Sequence, residues 1–507
     1  MEASLVTLGA PVWKIDDGGP SRRSATQYAQ EVPEMEDTQK RTLHLIDATP
    51  HTRRTPKPAG LRRINPHAAG IDIGSRSHFV AVDPECAAAG DAVREFGSFT
   101  ADLYRLADWL QASGVTTVAM ESTGVYWIPV MEVLEARGFE VRLVDPRRVK
   151  NVPGRKSDVL DCQWLQQLHS YGLLHGAFRP DAQICELRSY LRQRAMLIRY
   201  GAQHIQHMQK ALTQMNVQLH HVIRDITGKT GMAILRAIVA GERDPQQLAR
   251  LRDGRCTNDE ATIARGLDGH WRADHLFELR QALELYDVYQ QKIAACERQI
   301  ESLVRGWTVD RPDGPVPERA RKRQQYYAAF SFDAHSLLYR LTGVDLTRID
   351  GIDTATAFTV IAEIGLDMTR WPSAKHFSSW LGLCPGTKVS GGKLLNSRSR
   401  PSASRAAAAR RLAGQTLLHS RSALGAFARR MRARLGAPKA ITAAARKLAT
   451  LVYSMLRYGT DYVDRGEQEY EARYRDRVVR SLVRRANALG FQLVPQPVGP
   501  HPAPGPV

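Results

Sequence analysis

The six cysteines (Cys86, Cys162, Cys185, Cys256, Cys296 and Cys384) form neither a CxxC pair nor a framework of short spacings. Neither a zinc finger nor a disulfide-stapled fold is therefore expected, and they read as reduced thiols of an intracellular protein. No window comes near the roughly 18 uninterrupted apolar residues of a membrane-spanning helix. The amino terminus also lacks the basic-then-apolar order of a secretory signal. A cytoplasmic location with no membrane partner is the expectation. Acidic residues are in deficit as well, with 52 Asp and Glu against 71 Lys and Arg, a formal charge of +19. Such a surplus favours a polyanionic partner, most simply nucleic acid. What is present is ordinary for a soluble chain, 43% hydrophobic and 24% charged over 507 residues. That length predicts two or three globular units rather than one core.

Residues 1–64 lack a sustained apolar period and end in the basic run HTRRTPKPAGLRR, which reads as a disordered arm. From residue 65 to 180 the pattern changes. AAGIDIG, RSHFVAVD and AVREFGSF predict a three-strand meander, and DLYRLADWLQASG predicts a helix closed by Gly114. VTTVAM is a buried strand running into Glu121. It is followed by a helix near Val130–Ala136, the strand FEVRLV, and a helix start at KSDVLDCQWL. The order β-β-β-α-β-α-β-α is that of an α/β layer architecture.

Residues 181–305 carry apolar residues at helical spacing amid Arg, Gln and His, predicting a long helical, coiled-coil-like arm. Its second run, from about Leu276 to Leu303, either folds back as an antiparallel partner of the first or joins two copies of the chain. A Pro-rich basic linker spans 306–334, and a compact, mostly helical region spans 335–465. There IDGIDTATAFTVIAEIG has the form of a helix-hairpin-helix, whose turn at Gly351 and Asp353 suits a backbone phosphate. The polar loop KVSGGKLLNSRSRPSASR and two long Ala- and Arg-rich helices follow. Residues 466–507 read as a basic helix and a Pro-rich tail.

Four acids stand out. Asp72 interrupts an apolar strand, where a carboxylate is expensive to bury unless it meets a cation or partners. Glu121 ends the next apolar strand, where ligands of α/β sheets collect. Asp158 and Asp161 are neighbours on one helix face near a helix start, where negative charge is tolerated. Taken singly, Asp158 also suits a helix cap and Asp161 a solvated first-turn acid. Together the four form an all-oxygen set for Mg²⁺ or Mn²⁺ and for metal-assisted phosphoryl displacement. Arg147, Arg148, Lys150, Arg155 and Lys156 lie beside them and would counter substrate phosphates. His78 and His169 read as packing or surface residues rather than ligands, and Tyr126 and Trp127 as core.

The motifs GIDIGSRSHFVAV, AMESTGVYW, LVDPRRVKNVPGRKSDVLDCQWL, IDGIDTATAFTVIAEIG and SSWLGLCPGTKVSGGK, in this order, resemble transposases of the insertion sequence 110/1111 family. The resemblance implies a ribonuclease-H-like, Holliday-junction-resolvase-like first domain with Asp72, Glu121, Asp158 and Asp161 as its DEDD metal ligands. It implies a C-terminal transposase domain in which the serine of the SGG motif, Ser390, attacks DNA covalently. It further implies a homo-oligomer, dimer or tetramer, whose composite site joins the acids of one subunit to the serine of another. A structured bridge RNA would pair with element ends and target DNA.

Read from the residues themselves, Gly391 and Gly392 let DNA approach the Ser390 backbone, and Lys388 and Lys393 supply charge. Ser397, Ser399, Ser402 and Ser404 share the segment and are rival candidates. Two other readings stand beside the transposase. One is a metal-dependent junction resolvase that uses water instead of serine; the other is a nucleic-acid-binding remnant without catalysis.

Overall fold

The computed structural model describes residues 62–87, 91–122, 124–145, 157–308, 316–317, 329–399 and 404–494. Five strands form one mixed sheet: β1 Ala68–Ile73, β2 Ser77–Ala81, β3 Val93–Gly97, β4 Thr117–Glu121 and β5 Glu140–Val144. Their order is β3-β2-β1-β4-β5, the first three antiparallel and β1-β4-β5 parallel. The expected meander and the two strands after it form as read. β1 and β4 are apolar on both faces because helices cover both. On one face, helices α1 (Thr100–Ala112) and α2 (Trp127–Ala136) bury Leu103, Leu106, Leu110 and Leu134 against Ile71, Ile73, Val118 and Met120. On the other, α3 (Asp158–Ser170) sets Leu165 against Ala119 and Val144.

The arm is an antiparallel pair within the chain, α4 (Ala182–Gln214) against α9 (Ala273–Trp307), each about 50 Å long at 1.5 Å per residue. Four short helices separate them: α5 (Leu219–Val222), α6 (Lys229–Ala240), α7 (Pro245–Ala249) and α8 (Glu260–Leu267). They cap the arm's tip with a core of their own, in which Met208, Leu212 and Leu279 meet Ile234, Ile238 and Ile263. Sequence periodicity gives no sign of this cap as a separate body.

At the other end of the arm, Ile184, Leu187, Ile300 and Val304 share one core with the C-terminal helices. Those are α10 (Ala334–Thr342), α11 (Thr354–Ile364), α12 (Ala374–Trp380), α13 (Arg405–Thr416), α14 (Ala423–Leu435) and α15 (Ala437–Tyr458), while the last helix, α16 (Gly466–Ala488), buries no residue of its own. Where two long helices are expected there are three before Tyr462, because the chain breaks at Gly436, which takes φ +79° ahead of Pro438 in the first turn of α15. The expected polar loop contains a two-stranded hairpin, β6 (Lys388–Ser390) and β7 (Lys393–Asn396). No helix among the described residues is long and apolar enough to cross a membrane.

Candidate active site

Strand alternation decides where the two strand acids face. In β1, Ala69, Ile71 and Ile73 enter the core under α1 and α2, so Gly70 and Asp72 face α3. In β4, Val118 and Met120 enter that same core, so Ala119 and Glu121 face α3. The strands are parallel with Ile71 opposite Met120; continuing the register by one residue places Asp72 beside Glu121. Both carboxylates are partly buried. Just after Glu121, the Ser122 amide and hydroxyl both donate to the Val144 carbonyl, at 3.0 and 3.1 Å, tying this strand end to β5.

Helix α3 crosses that face antiparallel to β1. Its last turn is held at the start of the strand, where the Ser170 carbonyl accepts from the Ile64 amide at 2.8 Å and Gln166 Nε2 donates to the Ala68 carbonyl at 3.3 Å. Its first turn, with Asp158 and Asp161, therefore lies at the end that carries Asp72. Ser157 caps the helix, accepting from the Leu160 amide at 3.3 Å, so Asp158 is not the cap. Burial pushes the Cys162 thiol up to about 12, and the charges of Asp72 and Asp161 push the same way. A strand acid and a helix acid thus act on one sulfur.

Gly70 makes this approach possible and was not singled out from the sequence. A Cβ there would stand 2.3 Å from the Gln166 amide nitrogen and 2.4 Å from the Cys162 carbonyl oxygen. The available signal was a glycine inside an apolar strand, which marks close backbone approach.

Hard carboxylate oxygens suit a divalent cation in chemistry. Among the described residues, no group of three or more His, Cys, Asp or Glu is drawn close enough to hold an ion. Four like charges resist crowding unless a cation offsets them. The five basic neighbours Arg147, Arg148, Lys150, Arg155 and Lys156 lie outside the described residues.

Ser390 is exposed on the hairpin, and Lys393 is its cross-strand partner. Gly391 and Gly392 form the two-residue turn with φ +53° and +75°, the left-handed pair that a type I′ turn requires. Lys388 is exposed on the same hairpin. No substantial packing joins the hairpin to the five-stranded sheet among the described residues. Of the rival serines, Ser404 caps α13, accepting from the Ala407 amide at 3.4 Å, Ser397 and Ser399 follow β7, and Ser402 lies outside the described residues.

The turn at Gly351 takes φ +83°, preceded by a 3-10 turn at Leu346–Arg348 rather than by a full helix. A Cβ on Gly351 would meet the Ala413 carbonyl of α13 at 2.7 Å. Asp353 caps α11, accepting from the Thr356 amide at 2.7 Å. Both residues thus have structural work at this position. His78 and His169 are buried, the latter with Nε2 2.9 Å from Thr117 Oγ1. Tyr126 is 46% exposed, unlike the core residue expected, because it stands just ahead of α2 on the outer side.

A family model described as Transposase, of the DEDD IS110 type, matches residues 69–217. A second, described as Transposase IS116/IS110/IS902 family, matches residues 345–432. No curated protein matches the chain. A DEDD transposase domain implies the use of divalent metal in general, and transposases bind DNA. The first match contains all four acids and the second contains Ser390, and with both in this order the chain belongs to the IS110 family of transposases.

Proposed function

We propose that this transposase cuts and rejoins the DNA of an insertion sequence with a site in two parts. Residues 65–180 form a ribonuclease-H-like domain in which Asp72, Glu121, Asp158 and Asp161 hold Mg²⁺ or Mn²⁺. Residues 335–465 carry the helix-hairpin-helix and the nucleophile Ser390. The observation that carries the reading is the meeting of Asp72 and Glu121 on one sheet face, at the end where α3 begins. The strand order, three antiparallel strands followed by two parallel ones, supports the domain assignment.

A bound divalent ion would offset phosphate charge and the charge developing on the displaced oxygen. The chain's own groups do the rest. The Ser390 oxygen forms a bond to phosphorus, one sugar oxygen leaves with the electrons of its P–O bond and takes up a proton, and the serine proton passes to solvent. The phosphodiester is kept as a serine–DNA ester. A free sugar hydroxyl reverses the step and rejoins the strand. Lys393, opposite Ser390, and Lys388 hold the phosphate near the hydroxyl. The exposed hairpin of one copy, which shows no substantial packing on its own sheet among the described residues, completes the site of another copy in a homo-oligomer. A structured bridge RNA selects the DNA, its backbone and that of the DNA held by the basic surface, including the five cations that follow β5.

The test is excision and insertion by Asp72→Asn and Ser390→Ala, with a search for a denaturant-stable protein–DNA adduct. Both variants should lose activity, and Ser390→Ala should form no adduct. Undiminished activity in either variant overturns that residue's role. The lack of substantial packing between hairpin and sheet among the described residues favours one second reading, hydrolysis by water at the acids alone, which predicts strand cleavage without any adduct.

A further inference from the structure

Helices α14 and α15 and the first half of α16 enclose a groove of about 780 Å³, within the size range of ligand sites. Helix α16 reaches it through ion pairs of Glu467 with Arg429 and of Glu471 with Arg430. The Arg430 guanidinium lies over Tyr474, 3.2 Å from the ring centroid, and 5.5 Å from that of Tyr470. Its Nη1 is buried and has no hydrogen-bond partner among the described residues.

The lining contains six cationic side chains and one carboxylate, Glu469, which already pairs with Arg465 and Arg473. Arg434, Lys447 and Arg477 are exposed and have no carboxylate partner among the described residues. Phe427, Tyr470 and Tyr474 line the same space. Cations without counter-ions, interleaved with rings, are what an unpaired nucleic-acid strand needs, since phosphates take the charge and bases take the ring faces. Bases stacked within a duplex cannot reach rings set in a groove of this size. The positive track continues along α16, where Arg480, Arg484 and Arg485 follow Arg477. Residues 477–507 contain no Asp or Glu.

We infer that the groove between α14, α15 and α16 binds a single-stranded segment of nucleic acid. The inference builds on the reading of this chain as a nucleic-acid-handling transposase and adds a site for the unpaired strand, lined by none of the four acids and not by Ser390. Full-length protein is titrated with labelled (dT)20, (rU)20 and a 20-base-pair duplex, with polyglutamate as competitor. Arg434→Gln/Lys447→Gln/Arg477→Gln should weaken single-strand binding at least tenfold. It should also flatten the salt dependence of log K by about 2, three contacts at about 0.7 each. Tyr474→Leu should weaken single strands several-fold and leave the duplex unchanged. In the unaltered protein, photoreactive single strands should crosslink to Phe427, Tyr470 or Tyr474, and the tighter of the DNA and RNA strands identifies the natural one. Unchanged binding in the triple variant, equal losses on duplex, equal competition by polyglutamate, or crosslinks only elsewhere would overturn the assignment. Asp72→Asn and Ser390→Ala should bind single strands normally, so failure of the groove and failure of the catalytic reading are separable.

Discussion

Gly70 lies directly beneath Gln166: a Cβ added to the strand residue would stand 2.3 Å from the helix residue's amide nitrogen. Both atoms of closest approach in α3 belong to backbone, which cannot swing aside. Gly70→Ala should therefore lift the helix and cost at least about 2 kcal/mol of stability. Because α3 carries Asp158 and Asp161, divalent-ion affinity measured by calorimetry should fall about tenfold as well. Gly254→Ala, where a Cβ meets nothing within 4 Å, should change stability by less than about 0.5 kcal/mol. Equal effects at the two sites would refute the close-packing account.

The arm is fastened at its root by a buried ion pair. Arg194 Nε donates to Glu297 Oε1 at 2.7 Å, and Arg194 Nη2 donates to the Ala329 carbonyl at 3.1 Å. Glu297 Oε2 accepts from the Ser331 amide at 2.9 Å. Removing one partner leaves a charge stranded among apolar groups, so Glu297→Ala should cost about 3–5 kcal/mol in denaturant unfolding. Arg194→Met combined with Glu297→Leu should recover most of that loss. A double variant as unstable as the single would show that the hydrogen bonds to residues 329–331, rather than the charges, hold the root.

Burial, assisted by the nearby Arg142, lowers the pKa of His169 to about 4 from the usual 6.5. Between those values the unfolded chain binds a proton that the folded chain refuses, so stability is complete above pH 6.5 and falls as pH drops toward 4. At about 1.4 kcal/mol per pH unit, the loss amounts to about 3 kcal/mol. Thermal melts of wild type and His169→Gln across this window check it, since the variant should lack that part of the slope.

Arg410 is fully buried in α13, and neither its Nε nor its Nη2 has a hydrogen-bond partner among the described residues. Nη1 donates to the Ala406 carbonyl at 3.3 Å, and the ring of Phe377 lies 5.2 Å away. Burial lowers its pKa to about 9. Arg410→Met keeps the length and removes the desolvated charge, so it should raise stability by about 1–4 kcal/mol. A lowered melting temperature would show that the guanidinium has a use the apolar chain cannot replace.

The strand acids were legible because they interrupt runs of Ala, Ile and Val, and only a handful of arrangements make that tolerable. Asp158 and Asp161 were legible as a pair by helical spacing, but it took coordinates to show that Ser157, not Asp158, caps the helix. The hairpin bearing Ser390 was readable in principle, since Gly-Gly between short β-capable runs is a turn signal. Its strands are exposed on both faces, however, so the alternation that usually betrays a strand is missing. The cap at the arm's tip was hidden because helices of four to twelve residues are too short to establish a period. Gly70 and the groove depend on what packs beside them, which no local pattern records.

Two separate hydrophobic clusters on one pair of helices divide the molecule's cooperativity. Met208 and Leu279 belong to the tip, while Leu197 and Ile293 belong to the root. Between them the pair is joined by rings, with His204 stacked 5.3 Å from Tyr289 and Tyr200 6.3 Å from it. Where few fully buried apolar side chains link two clusters, local opening of one need not open the other. The far end of the arm should therefore exchange its amide hydrogens as an independent unit, fraying and reforming while the near end stays folded.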